Sequence, residues 1–232
     1  LEAARACGVA ACEPELRRCC ACGSVAMSPL PQDEELSAFY QHYHAAESFI
    51  AKANKKIARA QRRLAPLKFA VKGRQFLDVG ASIGTAAEAA RRLGFEATAL
   101  ELDRAAIEQG QAMFPGVDFI AGTMADLPAG AAFDIIYMAE IIEHVTEPSL
   151  LAQQAFERLR PGGLVFLTTP DAGHFRRPKN FLDWKSVKPP EHVTLFTKKG
   201  LRALFAAAGF DPIIFMPHLK PGVRMIARAK KR

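Results

Sequence analysis

From residue 75 onward, short apolar segments alternate with segments of about ten residues that carry helix-like patterns. Such alternation is typical of βαβ units, in which a helix crosses over between two parallel strands. The sequence therefore predicts an α/β fold. The predicted strands cover 75–79, 97–101, 117–120, 133–138, 164–168, 212–216 and 223–229.

The last two predicted strands are joined only by the short turn Lys220-Pro221-Gly222. A link of this length can join antiparallel strands but not parallel ones. We therefore expect a Rossmann-like three-layer sandwich with a mostly parallel seven-stranded sheet and one antiparallel strand near its edge. Helices are expected at 83–93, 103–113, 148–159 and 198–208.

The residues before this alternation divide into two parts. Residues 1–30 are rich in cysteine and lack periodicity, and we predict a separate N-terminal segment there. Residues 31–70 are predicted to form a helical lid, and residues 71–232 the main domain. Within the lid, Tyr40 and Tyr43 could either cover the site or pack in the core. One apolar stripe runs through Phe49, Ala53, Ile57, Ala60 and Leu64.

All five cysteines lie between Cys7 and Cys22, near the N-terminal end of the chain. Cys19-Cys20-Ala21-Cys22-Gly23 contains a knuckle-like C-x-x-C-G pattern, with Cys7 and Cys12 upstream. Cys7, Cys12, Cys19 and Cys22 would give four thiolates for a degenerate zinc ribbon. Because the first pair is loosely spaced, free thiols are the alternative. Nothing indicates a disulfide-stapled secreted fold, so we expect a reducing, cytoplasmic location.

The net charge of +7 is unevenly distributed along the chain. Residues 76–172 carry an excess of acid, whereas 45–75, 173–188 and 219–232 carry the positive charge. This pattern differs from that of a uniformly basic nucleic-acid binder, and it is compatible with an anionic substrate, an RNA or an acidic partner. No apolar run is long enough to cross a membrane, and we see no signal peptide.

A glycine-bearing turn, Asp78-Val79-Gly80-Ala81-Ser82-Ile83-Gly84, follows the first predicted strand of the alternating region. Ligands of open α/β sheets bind at the carboxyl ends of the strands. Glu101 ends the next strand, and its distance along the chain from Gly80 is that of a carboxylate that binds ribose hydroxyls. A nicotinamide site would favour glycine where Ser82 stands, so the turn indicates a different nucleotide.

Further motifs follow in an order that resembles class I methyltransferases. They are Gly122–Pro128, Phe133-Asp134, Glu140–Val145 and Leu159–Gly163. The segment Met138–Pro148 resembles the ubiquinone-biosynthesis O-methyltransferases in particular. This resemblance covers about residues 74–216 and implies an S-adenosylmethionine-dependent methyltransferase with S-adenosylhomocysteine as its product.

The resemblance also assigns roles by position. Asp78 would hold the cofactor's amino group through water, Glu101 its ribose, and Leu102 its adenine ring. Ala139 would offer its backbone to the methionyl amino group. Asp126 either compensates for Thr123, which replaces a common acid or amide, or only caps its loop. The residues expected to bind the cofactor are Asp78, Gly80, Ala81, Ser82, Gly84, Glu101, Leu102, Thr123, Met124, Asp126 and Ala139.

Methyl transfer needs mainly positioning and, for some acceptors, a base. His144 is the first candidate base and His192 the second, while the alternative for each is a structural role. Some ubiquinone O-methyltransferases use the residues matching Glu140, Glu143 and His144 for a divalent metal, and these side chains are suitable ligands.

The sequence does not identify the methyl acceptor. A small or lipid-like molecule is the leading expectation, and RNA or protein is the alternative suggested by the basic segments. A non-catalytic S-adenosylmethionine-binding module is the third hypothesis. Neither the accepting atom nor the oligomeric state follows from the sequence.

Overall fold

Two β-sheets organise the chain, whose computed structural model describes residues 6–8, 15–31, 52–217 and 219–230. The strands are β1 (Ala6–Gly8), β2 (Glu15–Cys19), β3 (Val25–Ser28), β4 (Gln75–Val79), β5 (Glu96–Glu101), β6 (Asp118–Ala121), β7 (Phe133–Ala139), β8 (Leu159–Pro170), β9 (Thr194–Leu195), β10 (Phe210–Phe215) and β11 (Gly222–Ala229). The α-helices within these residues are α1 (Ala53–Leu64), α2 (Thr85–Arg92), α3 (Arg104–Met113), α4 (Pro148–Arg158) and α5 (Lys198–Ala207).

The larger sheet has seven strands in the order β10-β11-β8-β7-β4-β5-β6. The pairs from β8 to β6 are parallel, whereas β11 is antiparallel to both β8 and β10. The turn at Lys220–Gly222 thus joins antiparallel neighbours, as its length requires. The predicted seven-stranded sheet with one reversed strand near its edge is confirmed.

Apolar side chains cover both faces of this sheet and form two core clusters. On one face, Ile57 and Leu64 of α1 pack with Phe76 and with the alanines of α2. On the other face, residues of α4 and α5 such as Leu151 and Phe205 pack against the same strands. Buried strands between two helical layers give the three-layer sandwich. In the described ranges, no helix is both long and apolar enough to cross a membrane.

Strand β8 begins earlier than its apolar run predicts. It includes the turn Pro161–Gly163, because Leu159 pairs with Phe133 of β7 before a register shift brings Leu164 opposite Ile135. Gly162 has φ +78°, a backbone conformation that glycine adopts without steric cost. The turn is therefore an irregularity within the strand and not a separate loop.

The smaller sheet joins the N-terminal segment to the long loop after β8. Its order is β1-β2-β3-β9, and Val25 of β3 pairs with Leu195 of β9. Leu16 and Met27 pack with Phe181 and Trp184 of that loop in a third apolar cluster. The cysteine-rich segment is thus docked on the loop that precedes α5. The predicted lid residues Tyr40 and Tyr43 lie outside the described residues, and the domain boundaries stay predictions.

Candidate active site

The turn after β4 has the backbone conformation that its glycines predict. Gly80, Ser82 and Gly84 have φ values of +66°, +51° and +75°. The N–H groups of Gly80 and Ala81 both donate to the carbonyl oxygen of Leu100, at 2.9 and 3.1 Å. These bonds hold the turn against the end of β5, at the carboxyl edge of the sheet.

Close packing adds a second requirement for glycine at position 80. A Cβ on Gly80 would overlap the side chain of Ile141. A Cβ on Gly84 would lie 2.5 Å from the ring of Phe119. Both glycines therefore permit a close approach as well as a positive φ.

Two carboxyl groups lie beneath and beside this turn. Asp78 is buried and accepts a hydrogen bond from the N–H of Ala87, at 3.1 Å. Burial, and then the nearby Glu101 carboxylate, raises the pKa of Asp78 to about 8. The Glu101 carboxylate accepts from the N–H groups of Ser82, Leu102 and Asp103, at 2.6, 2.7 and 3.0 Å. It therefore fixes the turn after β4 to the loop after β5.

Leu102, Met124 and Asp126, three of the residues expected to bind the cofactor, lie in different environments. Leu102 is 65% exposed beside Glu101, so its apolar surface is available to a ring. Met124 is buried in the core and faces away from solvent. The Asp126 carboxylate accepts from the N–H and hydroxyl of Thr123, at 2.7 and 2.8 Å. These bonds close the loop onto Asp126, and a role of Asp126 toward the cofactor stays a prediction.

The segment after β7 places two acidic side chains against the end of β8. Ala139 ends β7, and Glu140 follows with φ +59°, an uncommon conformation for a residue other than glycine. The Glu140 and Glu143 carboxyls accept from the hydroxyls of Thr168 and Thr169, at 2.9 and 2.8 Å. Both threonines lie near the carboxyl end of a buried parallel strand. That position was the signal by which they could have been predicted as site residues.

His144 and His192 come together although they lie on separate loops, after β7 and after β8. Their rings meet edge to face, with centroids 4.7 Å apart. The Nδ1 of His144 lies 2.8 Å from the carbonyl oxygen of Glu191. The Nδ1 of His192 lies 2.8 Å from the carbonyl oxygen of Ser186. Because a carbonyl oxygen only accepts, each neutral ring carries its proton on Nδ1 and keeps the lone pair on Nε2.

Burial keeps this pair of imidazoles neutral. Burial first, and the neighbouring His192 second, lower the pKa of His144 to about 4. Burial also lowers the pKa of His192. At neutral pH the two residues can therefore act as bases or as metal ligands, but not as cations.

Glu143 completes a group of three ligand-type side chains with these histidines. One ligand atom each from Glu143, His144 and His192 lies within 4.8 Å of the others. Glu143 is fully buried, and its Oε1 has no hydrogen-bond partner among the residues described. Burial, together with the nearby Glu140, raises its pKa well above the ordinary value. The structure thus groups His192 with Glu143 and His144, whereas Glu140, the third residue of the expected metal set, bonds to Thr168.

The cysteine knuckle lies at the beginning of α5. Thr197 caps this helix by accepting from the N–H of Gly200, and its hydroxyl donates to the carbonyl oxygen of Cys22, at 2.7 Å. Cys19 and Cys22 are free thiols, and backbone N–H groups of the knuckle, first that of Cys22, lower the pKa of Cys19. Cys20 is disulfide-bonded, which differs from the expectation of reduced cysteines. The side chains of Cys7 and Cys12 lie outside the described residues, so the four-thiolate set stays a prediction.

A family model described as "Methyltransferase domain" matches residues 49–213 of the chain. The match covers α1, the glycine turn, both histidines and the sheet as far as β10.

Curated relatives carry compatible names. The chain is 27% identical over 140 residues to a probable S-adenosylmethionine-dependent methyltransferase of Mycolicibacterium smegmatis, covering 60% of this chain and 52% of that protein. It is 31% identical over 119 residues to a ubiquinone biosynthesis O-methyltransferase of Albidiferax ferrireducens, covering 48% of this chain and 46% of that protein. The chain thus spans about half the length of these relatives.

Solved structures share the fold at lower sequence identity. A Thermotoga maritima protein described as a SAM-dependent methyltransferase, possible histamine N-methyltransferase, matches with a TM-score of 0.63 and 17% identity, covering 84% of this chain and 99% of that one. The 1,6-didemethyltoxoflavin-N1-methyltransferase of Burkholderia thailandensis, solved with bound 1,6-didemethyltoxoflavin and S-adenosylhomocysteine, matches with a TM-score of 0.60 and 18% identity. That match covers 90% of this chain and 96% of the other.

Proposed function

Because the chain belongs to the Methyltransferase domain family, we propose that it transfers a methyl group from S-adenosylmethionine to a small-molecule acceptor. The observation that carries this proposal is the glycine turn after β4, held to the end of β5 by the Glu101 carboxylate. The turn and the acid lie at the carboxyl ends of adjacent parallel strands, where open α/β sheets bind nucleotides.

In this proposal the residues of the turn bind and orient the cofactor. Glu101 accepts hydrogen bonds from the ribose, the exposed Leu102 packs on adenine, and the backbone from Gly80 to Ser82 lines the methionine portion. Asp78 and the backbone of Ala139 hold the amino group. When bound, S-adenosylmethionine supplies a methyl carbon already activated by its sulfonium, so the protein contributes mainly proximity and orientation.

We assign the proton-accepting role to the neutral imidazoles. The Nδ1 bonds of His144 and His192 to carbonyl oxygens fix the tautomer that keeps the lone pair on Nε2. Their lowered pKa values keep both imidazoles in the neutral form at neutral pH. A general base typically contributes roughly 10²–10⁴-fold, so we expect replacement of the residue that acts as base to lower kcat by about that factor.

A divalent metal at Glu143, His144 and His192 is the second candidate role for the same group. One carboxylate and two imidazoles form a suitable ligand set for a transition metal, and the Oε1 of Glu143, unpartnered within the described ranges, fits this role. A bound metal would orient and acidify an acceptor hydroxyl. Metal analysis and the effect of EDTA on turnover separate this role from that of a metal-free base.

Two further proposals concern the N-terminal cysteines and the location of the protein in the cell. A zinc ion at Cys7, Cys12, Cys19 and Cys22 is testable by metal analysis of protein purified without chelators. A cytoplasmic location rests on the confinement of all five cysteines to the segment from Cys7 to Cys22, although Cys20 is disulfide-bonded.

Methyl transfer from radiolabelled S-adenosylmethionine to panels of small phenols and amines, total RNA and a protein extract tests the function. We expect label in small molecules. Label only in RNA or protein would support the alternative suggested by the exposed cations of α1, among them Lys55, Arg59 and Arg62. If the cofactor bound but no panel were labelled, the non-catalytic module would be favoured.

A further inference from the structure

A cavity of about 160 Å³ lies between the end of β8, the beginning of β11 and helix α1. Its wall includes Arg63 of α1, Arg224 of β11 and Glu140. Whole ligand sites usually measure about 300–1,000 Å³, so a cavity of this size suits one chemical group of a larger molecule.

Arg224 lies on the face of the sheet that α1 covers, and Arg63 of α1 meets it there. Arg224 pairs with Thr168 of β8, and cross-strand partners point to the same side of a sheet. Thr168 in turn bonds to Glu140, which places Arg224 beside that segment. Ile226, two positions after Arg224, packs against the core cluster that contains Ile57 and Leu64 of α1, so this is the face that α1 covers. Arg63 enters the cavity from α1.

Both guanidinium groups retain donors that no described residue accepts. The Nε atoms of Arg63 and Arg224 are buried and have no hydrogen-bond partner in the described ranges. Arg63 donates from Nη1 to the hydroxyl of Tyr137, at 3.0 Å, which fixes its position. Among the residues that the structure describes, no ion pair within 4.0 Å involves either arginine. Two arginines that line one cavity without an ion pair in the described ranges favour an oxyanion as ligand, because arginine binds carboxylates and phosphates through paired N–H groups.

We propose that this arginine cavity binds a carboxylate or phosphate group of the methyl acceptor; the inference rests on the proposed methyltransferase function. Glu140 is the one acidic residue that the described part of the chain contributes to the cavity wall, and its Oε1 is bonded to Thr168. Two cations therefore face one carboxylate. Glu140 also directly follows Ala139, the residue expected to meet the methionyl group. An acceptor anchored by its anionic group would thus be held beside the transferred methyl.

The first test compares matched anionic and neutral probes on the wild-type protein. Benzoate, phenyl phosphate and uncharged benzamide are titrated by calorimetry into protein saturated with S-adenosylhomocysteine, at low ionic strength. We expect at least one of the two anions to bind at least tenfold more tightly than benzamide. Equal binding of all three probes, or binding of none, would contradict the anion preference while leaving the measured cofactor binding intact. Failure of S-adenosylhomocysteine itself to bind would instead contradict the proposed function.

Variants then locate the anion. Arg224→Gln and Arg63→Gln should each weaken the binding of the preferred anion at least tenfold. Arg62 is the exposed neighbour of Arg63 on α1, and Arg62→Gln should change this binding less than twofold. Arg224→Lys, which retains the charge, should retain part of the affinity. The affinity of Arg224→Gln for S-adenosylhomocysteine should match that of the wild type. A loss of cofactor affinity with unchanged anion binding would show that the cavity serves the cofactor's own carboxylate, and the proposal would be wrong.

Discussion

The Glu101 carboxylate accepts a hydrogen bond from the backbone N–H of Ser82, with 2.6 Å between Oε2 and N. Its other oxygen accepts from the N–H groups of Leu102 and Asp103. One side chain at the end of β5 thus organises both loops of the candidate cofactor site. The residue expected to contact ribose is also the residue that shapes the turn around it.

Replacement of Gly80 should show how much of the need for glycine comes from close packing against Ile141 and how much from the positive φ. Gly80→Ala places a Cβ against Ile141 at φ +66°, whereas Gly130→Ala meets nothing within 4 Å at φ +78°. We expect Gly130→Ala to cost about 1–2 kcal/mol of stability and to leave cofactor binding unchanged. Gly80→Ala should cost more stability, since steric overlap with Ile141 adds to the same backbone strain. It should also weaken the binding of S-adenosylmethionine at least tenfold.

Thermal unfolding and calorimetry on both glycine variants supply these numbers. Equal effects of the two substitutions on cofactor affinity would show that the approach of Ile141 to Gly80 has no role in the site.

Cofactor binding should release a proton from Asp78. In the free protein burial raises the pKa of this carboxyl to about 8, so it is protonated at pH 6–7. A bound ammonium favours the ionised carboxylate and lowers that pKa. Affinity for S-adenosylhomocysteine should therefore rise with pH between 5.5 and 7. Calorimetry in buffers of different ionisation enthalpy measures the released proton, and Asp78→Asn should abolish both the release and the pH dependence.

Acid should destabilise the protein through His144. Its folded pKa of about 4 lies below the unfolded value of 6.5, so the unfolded chain binds more protons between these pH values. This contribution is fully present above pH 6.5 and is lost as the pH falls toward 4, by on the order of 3 kcal/mol. Denaturant unfolding at several pH values should show a shallower acid loss for His144→Gln. Parallel curves for variant and wild type would place His144 in a solvent-like environment.

Thr197 tests the docking of the N-terminal segment onto α5. Thr197→Val removes the cap to Gly200 and the bond to Cys22, and we expect it to cost about 1–2 kcal/mol of unfolding free energy. Thr197→Ser keeps the hydroxyl and should stay within about 0.5 kcal/mol of the wild type. If both variants were equally stable, the contact would contribute nothing measurable.

The sheet was predictable because alternating strands and helices leave few topologies open. The strand Gln75–Val79 and the reversed strand near the edge follow from apolar runs and from one short turn. The small sheet was missed, since the pairing of Val25 with Leu195 joins opposite ends of the sequence through the very short strand β9. Local patterns carry no information about such a contact.

The candidate site likewise contains residues that the sequence predicted and contacts that it did not. Asp78, Gly80 and Glu101 lie at or next to the ends of β4 and β5, so motif spacing was sufficient to predict their positions at this edge of the sheet. The contact of His144 with His192 depends on how the long loop after β8 folds back, and the cavity of Arg63 and Arg224 depends on packing between α1 and β11. Packing between distant elements decides these sites.

S-adenosylmethionine should bind at the turn around Gly80 and at the carboxylate of Glu101. Calorimetric titration of S-adenosylmethionine and of NAD into the wild type, Glu101→Ala and the exposed control Glu108→Ala tests it most directly. We expect the wild type to bind S-adenosylmethionine but not NAD, Glu101→Ala to bind S-adenosylmethionine at least tenfold more weakly, and Glu108→Ala to bind it as the wild type does. Binding of NAD instead, or a Glu101→Ala variant that binds as well as its parent, would contradict it.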